Sequence, residues 1–263
     1  MIICWFSCGI TSAVACKLAV DKYGKDKCIL VYIEIDSAHP DNERFILECE
    51  NWIGVKIKRI RSLKYTDQYD VIIKTKYVNG IGGARCTKEL KKDVRLKFET
   101  EIKYEGQVFG FEFEKKEINR ALRFSEQYSY TKPIYPLIER KLTKEQCAWL
   151  MIYNNIKMPE MYKLGFHNNN CIGCVKGGMG YWNKIRKHFP EYFKKMSEAE
   201  RIAGHSCIKN KFLDELNQNE GNNEPPILPD CGTFCEIEFA DLMDIRTDKI
   251  INGVMSINDI YSK

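Results

Sequence analysis

The stretch Ile2 to Ala19 reads IICWFSCGITSAVACKLA and decides the fold that the sequence predicts. Its first part, Ile2 to Phe6, is an apolar run long enough for a buried strand. The apolar spacing from Ala13 to Leu18 suits a helix, and a polar turn of small residues lies between the two parts. The stretch therefore predicts a first strand that is followed directly by a helix.

Glycine and hydroxyl residues make up this turn: Ser7, Gly9, Thr11 and Ser12. Small side chains let backbone N–H groups approach an anion closely, and the positive N-terminal end of the next helix points at the same place. The turn therefore predicts a site for a phosphate or sulfate group. The same residues also suit a plain connection between a strand and a helix. The spacing differs from the Walker loop and from G-x-G-x-x-G, which disfavours both of those nucleotide folds.

Length and composition set the class of protein. A chain of 263 residues with 44% hydrophobic content can bury a substantial core. No apolar run reaches the roughly 18 residues of a membrane span, and no secretory leader is evident, so we expect a cytoplasmic protein without membrane contact. In that reducing compartment the 12 cysteines are expected to pack, react or bind metal. The net charge of +5 permits an anionic ligand without indicating nucleic acid by itself.

Strands and helices continue to alternate along the chain. Cys28 to Ile35 reads as a second buried strand, a helix begins near Pro40, and Val55 to Ile60 alternates as a third strand. Gly106 to Phe113 reads as a fourth strand. We therefore predict an α/β fold over residues 1–155, with a parallel sheet and helices on both faces. Residues 156–263 form a cysteine-rich C-terminal region that we expect to pack on the ligand site.

Polar residues follow the second strand. In a parallel sheet, ligands sit at the carboxyl ends of the strands, so this loop should face the same crevice as the first turn. Asp36, His39 and Asn42 are expected to contact a ribose or a purine edge there. Each of them alone suits a strand cap or a helix start equally well.

A glycine-rich turn leads into a basic helix with the sequence RCTKELKKDVRLKF. Arg85, Lys88 and Lys91 crowd its start, where side-chain charge and exposed N–H groups both favour an anion. The alternative is a solvated basic face.

Cys171 and Cys174 form a C-x-x-C turn, a spacing that lets two thiolates bind one metal while Gly173 permits the tight backbone. Two further ligands would close a tetrahedral site. The candidates are Cys86, Cys207 and the pair Cys231 and Cys235. The alternatives are a redox dithiol or two unrelated thiols.

The first turn resembles the PP-loop S-G-G-x-D-S of the adenine nucleotide alpha hydrolase-like (HUP-type) superfamily. Cys8 stands in place of a glycine and Thr11 in place of the aspartate. The phosphoadenylyl sulfate (PAPS) reductase branch has a more relaxed form, S-x-G-x-x-[AS]-A-V, and the segment from Ser7 to Val14 fits it. The chain is similar to PAPS reductase-like proteins of bacteriophage genomes.

The cysteines also resemble this branch. Arg85 to Lys91, RCTKELK, resembles both the C-C-x-x-R-K motif of iron–sulfur adenylyl sulfate reductases and the R-W-C-T-x-x-L-K pattern of PAPS reductase-like proteins. The resemblance implies an iron–sulfur cluster of four irons and four sulfurs, with zinc as the alternative. Its expected ligands are Cys86, Cys171, Cys174 and Cys207. Without a fourth ligand one iron stays open.

Asp230 to Phe234, DCGTF, resembles the E-C-G-[IL]-H segment of these reductases. The resemblance implies that the thiolate of Cys231 is the nucleophile that attacks the sulfate sulfur. The alternative is that Cys231 and Cys235 bind metal.

The resemblance implies an enzyme that reduces a sulfonucleotide, with a thiol reductant protein as its partner. The adenine nucleotide would be ATP, adenylyl sulfate or phosphoadenylyl sulfate. Its anionic group would be held by Ser7, Cys8, Gly9, Thr11 and Ser12, with charge from Arg85, Lys88 and Lys91. One alternative is an ATP-dependent sulfurtransferase that thiolates a base of RNA or DNA. The other is a non-catalytic nucleotide-binding protein with structural zinc.

Overall fold

The computed structural model describes residues 1–79 and 83–221. Within them, five strands form one sheet in the order β3-β2-β1-β4-β5, and every neighbouring pair is parallel. The strands are β1 (Ile2–Trp5), β2 (Cys28–Glu34), β3 (Ile57–Arg61), β4 (Gly106–Val108) and β5 (Pro133–Ile134). Helices flank this sheet, which confirms the predicted α/β class. The strand order reverses between β1 and β4, and such a switch point is where open parallel sheets form a ligand crevice.

The helices, in chain order, are α1 (Ile10–Tyr23), α2 (Asn42–Ile53), α3 (Gln68–Thr75), α4 (Arg85–Thr87), α5 (Asp93–Glu101), α6 (Lys115–Gln127), α7 (Pro136–Glu139), α8 (Lys144–Tyr153), α9 (Glu160–Lys163), α10 (Met179–His188) and α11 (Pro190–Ala203). A π-helical turn, Lys88–Lys92, joins α4 to α5. Across the two described ranges, no helix has the length and apolar character needed to cross a membrane.

Regular structure is interrupted at two places. Residues 179–203 form two helices rather than one, because Pro190 lacks an N–H and leaves Phe189 in a non-helical conformation (φ −140°, ψ 60°). The predicted fourth strand ends at Val108 rather than at Phe113. There the chain turns across the start of α1, where the Gly110 backbone packs against Thr11 and Ser12.

The chain builds two main apolar cores. The larger one lies between the sheet and helices α1, α2 and α8, and it includes Phe6, Phe45 and Leu137. The second joins Tyr69 and Ile72 of α3 to residues of α10 and α11 such as Trp182. The described part of the C-terminal region, residues 156–221, therefore packs on the helix that follows β3, beside the carboxyl edge of the sheet.

Candidate functional site

A pocket of about 180 Å3 opens at the carboxyl ends of β1 and β2. Ser7, Gly9 and Thr11, from the turn between β1 and α1, line it with hydroxyl and backbone groups. Trp5, Val31 and Ile33 also line it with apolar side chains. We call this the turn pocket. It offers polar contacts near the start of a helix and an apolar surface next to them.

The Ser12 hydroxyl holds the turn together through two hydrogen bonds. That hydroxyl accepts the Ser7 N–H (3.0 Å) and donates to the Gly9 carbonyl (2.8 Å). Ser12 is only 3% exposed and is not among the lining residues of the turn pocket. Its role is therefore to shape the turn, whereas Ser7 and Thr11 face the ligand space.

Cys8 occupies the position where the PP-loop pattern has glycine. Its φ is +63°, in the left-handed region that favours glycine. The thiol is fully buried, and burial raises the pKa of Cys8 far above its ordinary value. Cys8 thus contributes its backbone to the turn, and its side chain packs in the core.

Amide groups connect the turn to distant parts of the chain. The Asn169 Nδ2 group donates to the Cys8 carbonyl (2.7 Å) and to Asn42 Oδ1 (2.8 Å), and Asn42 Nδ2 donates to Tyr32 Oη (3.3 Å). Asn42 and Asn169 both line the turn pocket. The C-terminal region therefore helps to fix the geometry of a loop 160 residues earlier in sequence.

Tyr162 of α9 covers the start of α1. Its hydroxyl lies so near Gly9 that a Cβ at that glycine would approach it to 3.3 Å. Burial raises the pKa of Tyr162, and backbone N–H groups of Ile10 and Asn169 that donate to its oxygen oppose the rise. The hydroxyl therefore stays protonated, and it lines the turn pocket with a proton to donate.

Besides Cys8 and Ser12, four predicted ligand residues lie outside the lining of the turn pocket. Asp36 is paired with Arg61 (2.6 Å), and the His39 ring packs against Phe189. Arg85 is paired with the buried carboxylate of Glu89 (2.7 Å), and Lys88 is paired with Asp93 (2.7 Å).

Lys91 is the basic residue of this helix that reaches the turn pocket. Its pKa is raised by the nearby thiols of Cys171, Cys174 and Cys86. In the described ranges Lys91 has no carboxylate partner. A cation therefore stands between the turn pocket and a group of cysteines.

Those cysteines line a second, larger cavity of about 730 Å3, which we call the thiol cleft. Cys86 and Cys171, with Cys174, meet there although they come from segments about 85 residues apart. Burial raises the pKa of the Cys86 thiol to about 11, and the thiols of Cys174 and Cys171 add to the rise. Lys91 and Cys171 line both the thiol cleft and the turn pocket, so the two cavities adjoin.

Buried hydrogen bonds hold the C-x-x-C turn. Gly173 has φ +78°, and a Cβ there would collide with the Tyr69 hydroxyl. Tyr69 Oη (2.9 Å) and Gln68 Nε2 (2.7 Å) both donate to the Ile172 carbonyl. The Tyr181 hydroxyl accepts the Cys174 N–H (2.8 Å) and donates to the Cys171 carbonyl (3.2 Å). Burial raises the pKa of Cys174, and the Lys176 backbone N–H, which donates to its sulfur, opposes the rise.

Cys207 lies near this group but faces a carboxylate. Burial raises its pKa, and the adjacent Glu200 carboxylate raises it further. The neighbouring thiols of Cys174 and Cys86 contribute the rest of the increase. Glu200 is completely buried and also accepts the backbone N–H groups of Cys207 and Leu213. The predicted fourth ligand is thus near Cys174 and Cys86 and hydrogen-bonded to Glu200, and it is not among the residues that line the thiol cleft.

In residues 1–79 and 83–221, no three His, Cys, Asp or Glu side chains stand where they could hold one metal ion. The predicted nucleophile Cys231 and its neighbour Cys235 lie outside the described residues.

Sequence reasoning missed several residues that shape the site. Tyr162, Asn169 and Tyr181 lie in or near a Gly- and Asn-rich loop, Leu164 to Gly180, which carries no periodic signal. Lys144 fixes the same loop by donating to the His167 carbonyl (2.6 Å) and to Asn168 Oδ1 (2.7 Å). The asparagine run before Cys171 was the available signal, because three consecutive amides in a loop suit polar contacts.

A scan against models of protein families finds no match to this chain, and a search of curated proteins finds no similar sequence.

Proposed function

We propose that this chain is a PAPS reductase-like enzyme of the PP-loop class, which binds an adenine nucleotide in the turn pocket and carries out sulfur chemistry in the thiol cleft. The observation that carries the proposal is the shared wall of the two cavities, where Lys91 and Cys171 line both. An anion held by the turn would lie next to a cation and to a thiol. Sulfonucleotide reduction needs this combination, because a thiolate must reach a negatively charged sulfate group.

The turn pocket suits a nucleotide because its lining has two chemical characters. Ser7, Thr11 and the proton of Tyr162 are donors for a phosphate or sulfate. Trp5 and Ile33 provide an apolar surface for a purine ring. A free phosphate would have no use for the second surface.

The thiol cleft offers cysteine sulfurs, the donors that hold both iron–sulfur clusters and structural zinc. Cys86, Cys171 and Cys174 line one cavity and interact electrostatically although they come from distant segments. The resemblance of residues 85–91 to the motif of iron–sulfur adenylyl sulfate reductases favours the cluster. Cys86, Cys171 and Cys174 would hold the cluster, and Cys207 or a residue beyond 221 would be the fourth ligand.

When bound, the cluster would set the electrostatic potential and the redox environment next to the nucleotide. The residues of this chain would hold the anion, place Lys91 against it and donate from Tyr162. Cys231 remains the proposed nucleophile: its thiolate would bond to the sulfate sulfur while the bond from that sulfur to the bridging phosphate oxygen breaks. The nucleotide would leave with the bond electrons.

The test of this proposal is a metal and sulfide assay on protein purified without oxygen. We expect about four irons and four sulfides per chain in the unaltered protein, and a loss of most of both in Cys174→Ala. Cys49→Ala is the matched control, because Cys49 is a fully buried core thiol on α2 and is not among the residues that line the thiol cleft. If the unaltered protein contains neither iron nor sulfide, the cluster is ruled out. Stoichiometric zinc would favour the alternative of a nucleotide-binding protein with structural zinc.

A second measurement addresses nucleotide binding. Tyr162→Phe is expected to weaken binding of ATP or adenylyl sulfate about tenfold, because it removes one donor to the anionic group. Isothermal titration calorimetry gives the affinity, and Tyr23→Phe, at the far end of α1, is the control. Equal affinities for the Tyr162→Phe and unaltered proteins would show that the hydroxyl does not face the ligand.

A further inference from the structure

The thiol cleft is much larger than the turn pocket, and five of its lining residues are lysines or arginines. Helix α6 contributes Lys116, Arg120 and Arg123. The loop after the C-x-x-C turn contributes Lys176, and the π-helical turn contributes Lys91. Glu117 is the one acidic residue among the described lining residues of this cleft. A nucleotide in the turn pocket would leave most of this cleft empty.

Four of these five cations have no carboxylate partner in the part of the chain that the structure describes. Lys91, Lys116, Arg123 and Lys176 form no ion pair with any carboxylate among the residues that the structure describes. Arg120 alone is paired, with Glu117 at 3.2 Å. Uncompensated positive charge on a concave surface concentrates anions.

The cations on α6 are spaced along one side of the helix. Lys116, Arg120 and Arg123 stand at positions i, i+4 and i+7, which places them on one face over a length of about 10 Å. The other side of α6 is anchored: Ala121 is buried and its carbonyl accepts the Tyr135 hydroxyl (3.0 Å), while the Phe124 ring lies 4.6 Å from Phe109. The cationic face is therefore held toward the cleft.

We propose that the thiol cleft binds a single-stranded nucleic acid, whose phosphates follow the cationic face of α6. One phosphate cannot reach both ends of a row about 10 Å long, whereas the repeated phosphates of a strand can. A narrow concave cleft suits an extended strand better than the surface of a folded protein. The proposal rests on the proposed function, because the thiols that would act on a nucleotide open into this cleft, and it names nucleic acid as a second ligand class beside the nucleotide.

The test compares two triple variants. Lys116→Gln, Arg123→Gln and Lys176→Gln together remove the unpaired cations of the cleft outside Lys91. The matched control combines Lys97→Gln, Lys103→Gln and Lys115→Gln, three exposed lysines outside the cleft lining, one of which is next to Lys116. Each variant lowers the formal net charge of +5 by three charges. The probe is a fluorescent oligodeoxythymidine of about 12 nucleotides, measured by anisotropy at several salt concentrations.

The cleft variant is expected to bind the oligonucleotide at least tenfold more weakly than the control variant does. Its slope of log affinity against log salt should fall by about 2, because three phosphate contacts are lost. Equal weakening in both variants would overturn the proposal, and so would equally tight binding of poly-L-glutamate. ATP titration on the same variants separates the two ideas. If the cleft variant and the control variant bind the oligonucleotide equally well while ATP binding is intact, only the cleft proposal is rejected. If ATP binding is absent while the two variants still differ in oligonucleotide affinity, only the proposed function is rejected.

Discussion

Replacing Gly110 with alanine is expected to abolish nucleotide binding and to lower the free energy of unfolding by about 3 kcal/mol. A Cβ at this position would lie 2.8 Å from both the Cα and the N of Ser12, and 3.0 Å from the carbonyl carbon of Thr11. Those atoms belong to the backbone at the start of α1, so no side-chain rotation relieves the overlap. The helix start would shift away from the turn, and the donors that face the turn pocket would move with it. Urea unfolding and ATP titration measure the two effects.

The control for this change is Gly178→Ala. A Cβ at Gly178 meets no atom within 4 Å, and its φ of −80° is open to any residue. We expect this variant to keep the stability and the nucleotide affinity of the unaltered protein. Normal ATP binding by Gly110→Ala would mean that the start of α1 does not form the anion site.

The second large effect is expected at Glu200, where the Glu200→Gln change should lower the free energy of unfolding by about 2 kcal/mol. The two carboxylate oxygens accept different backbone N–H groups, those of Cys207 and Leu213. Glutamine has one acceptor oxygen, so its amide group would face one of these donors in a fully buried place. Urea unfolding measures the loss. Glu198→Gln is the control, because Glu198 is exposed on the same helix.

Much of the sheet could be predicted because its signals are local. Ile2 to Phe6 and Cys28 to Ile35 are apolar runs bounded by polar turns, and both form strands close to the predicted bounds. Thr143 marks the start of α8 because its hydroxyl and Gln146 make a reciprocal cap. Such features act over a few residues and therefore appear in the sequence.

Charge pairing was only partly predictable from the sequence. Arg85, Lys88 and Lys91 look equivalent in the sequence, yet the first two are engaged by Glu89 and Asp93. The acidic partners lie within five residues, so a helical reading of the charges would have separated paired from unpaired cations. Lys91 is distinguished only by tertiary contacts with thiols from residues 171 and 174.

The long-range contacts around the turn pocket left no periodic signal. Tyr162 and Asn169 reach the turn from the C-terminal region, and their partners are backbone groups at positions 8 and 10. Any residue can present a backbone N–H or carbonyl, so the sequence of the turn does not reveal them. The proximity of Cys86 to the C-x-x-C turn could be inferred only from the family resemblance. The spacing of the cysteines alone left several of them as candidate metal ligands.

The position of β1 in the sheet has a consequence for synthesis on the ribosome. β1 pairs on one side with β2, which follows it closely in the sequence. Its other edge pairs with Gly106–Val108, which is synthesised well after β2. Until then the nascent chain carries an apolar strand with one unmatched edge, a template for association with other chains. Chaperone demand should therefore peak before β4 leaves the exit tunnel.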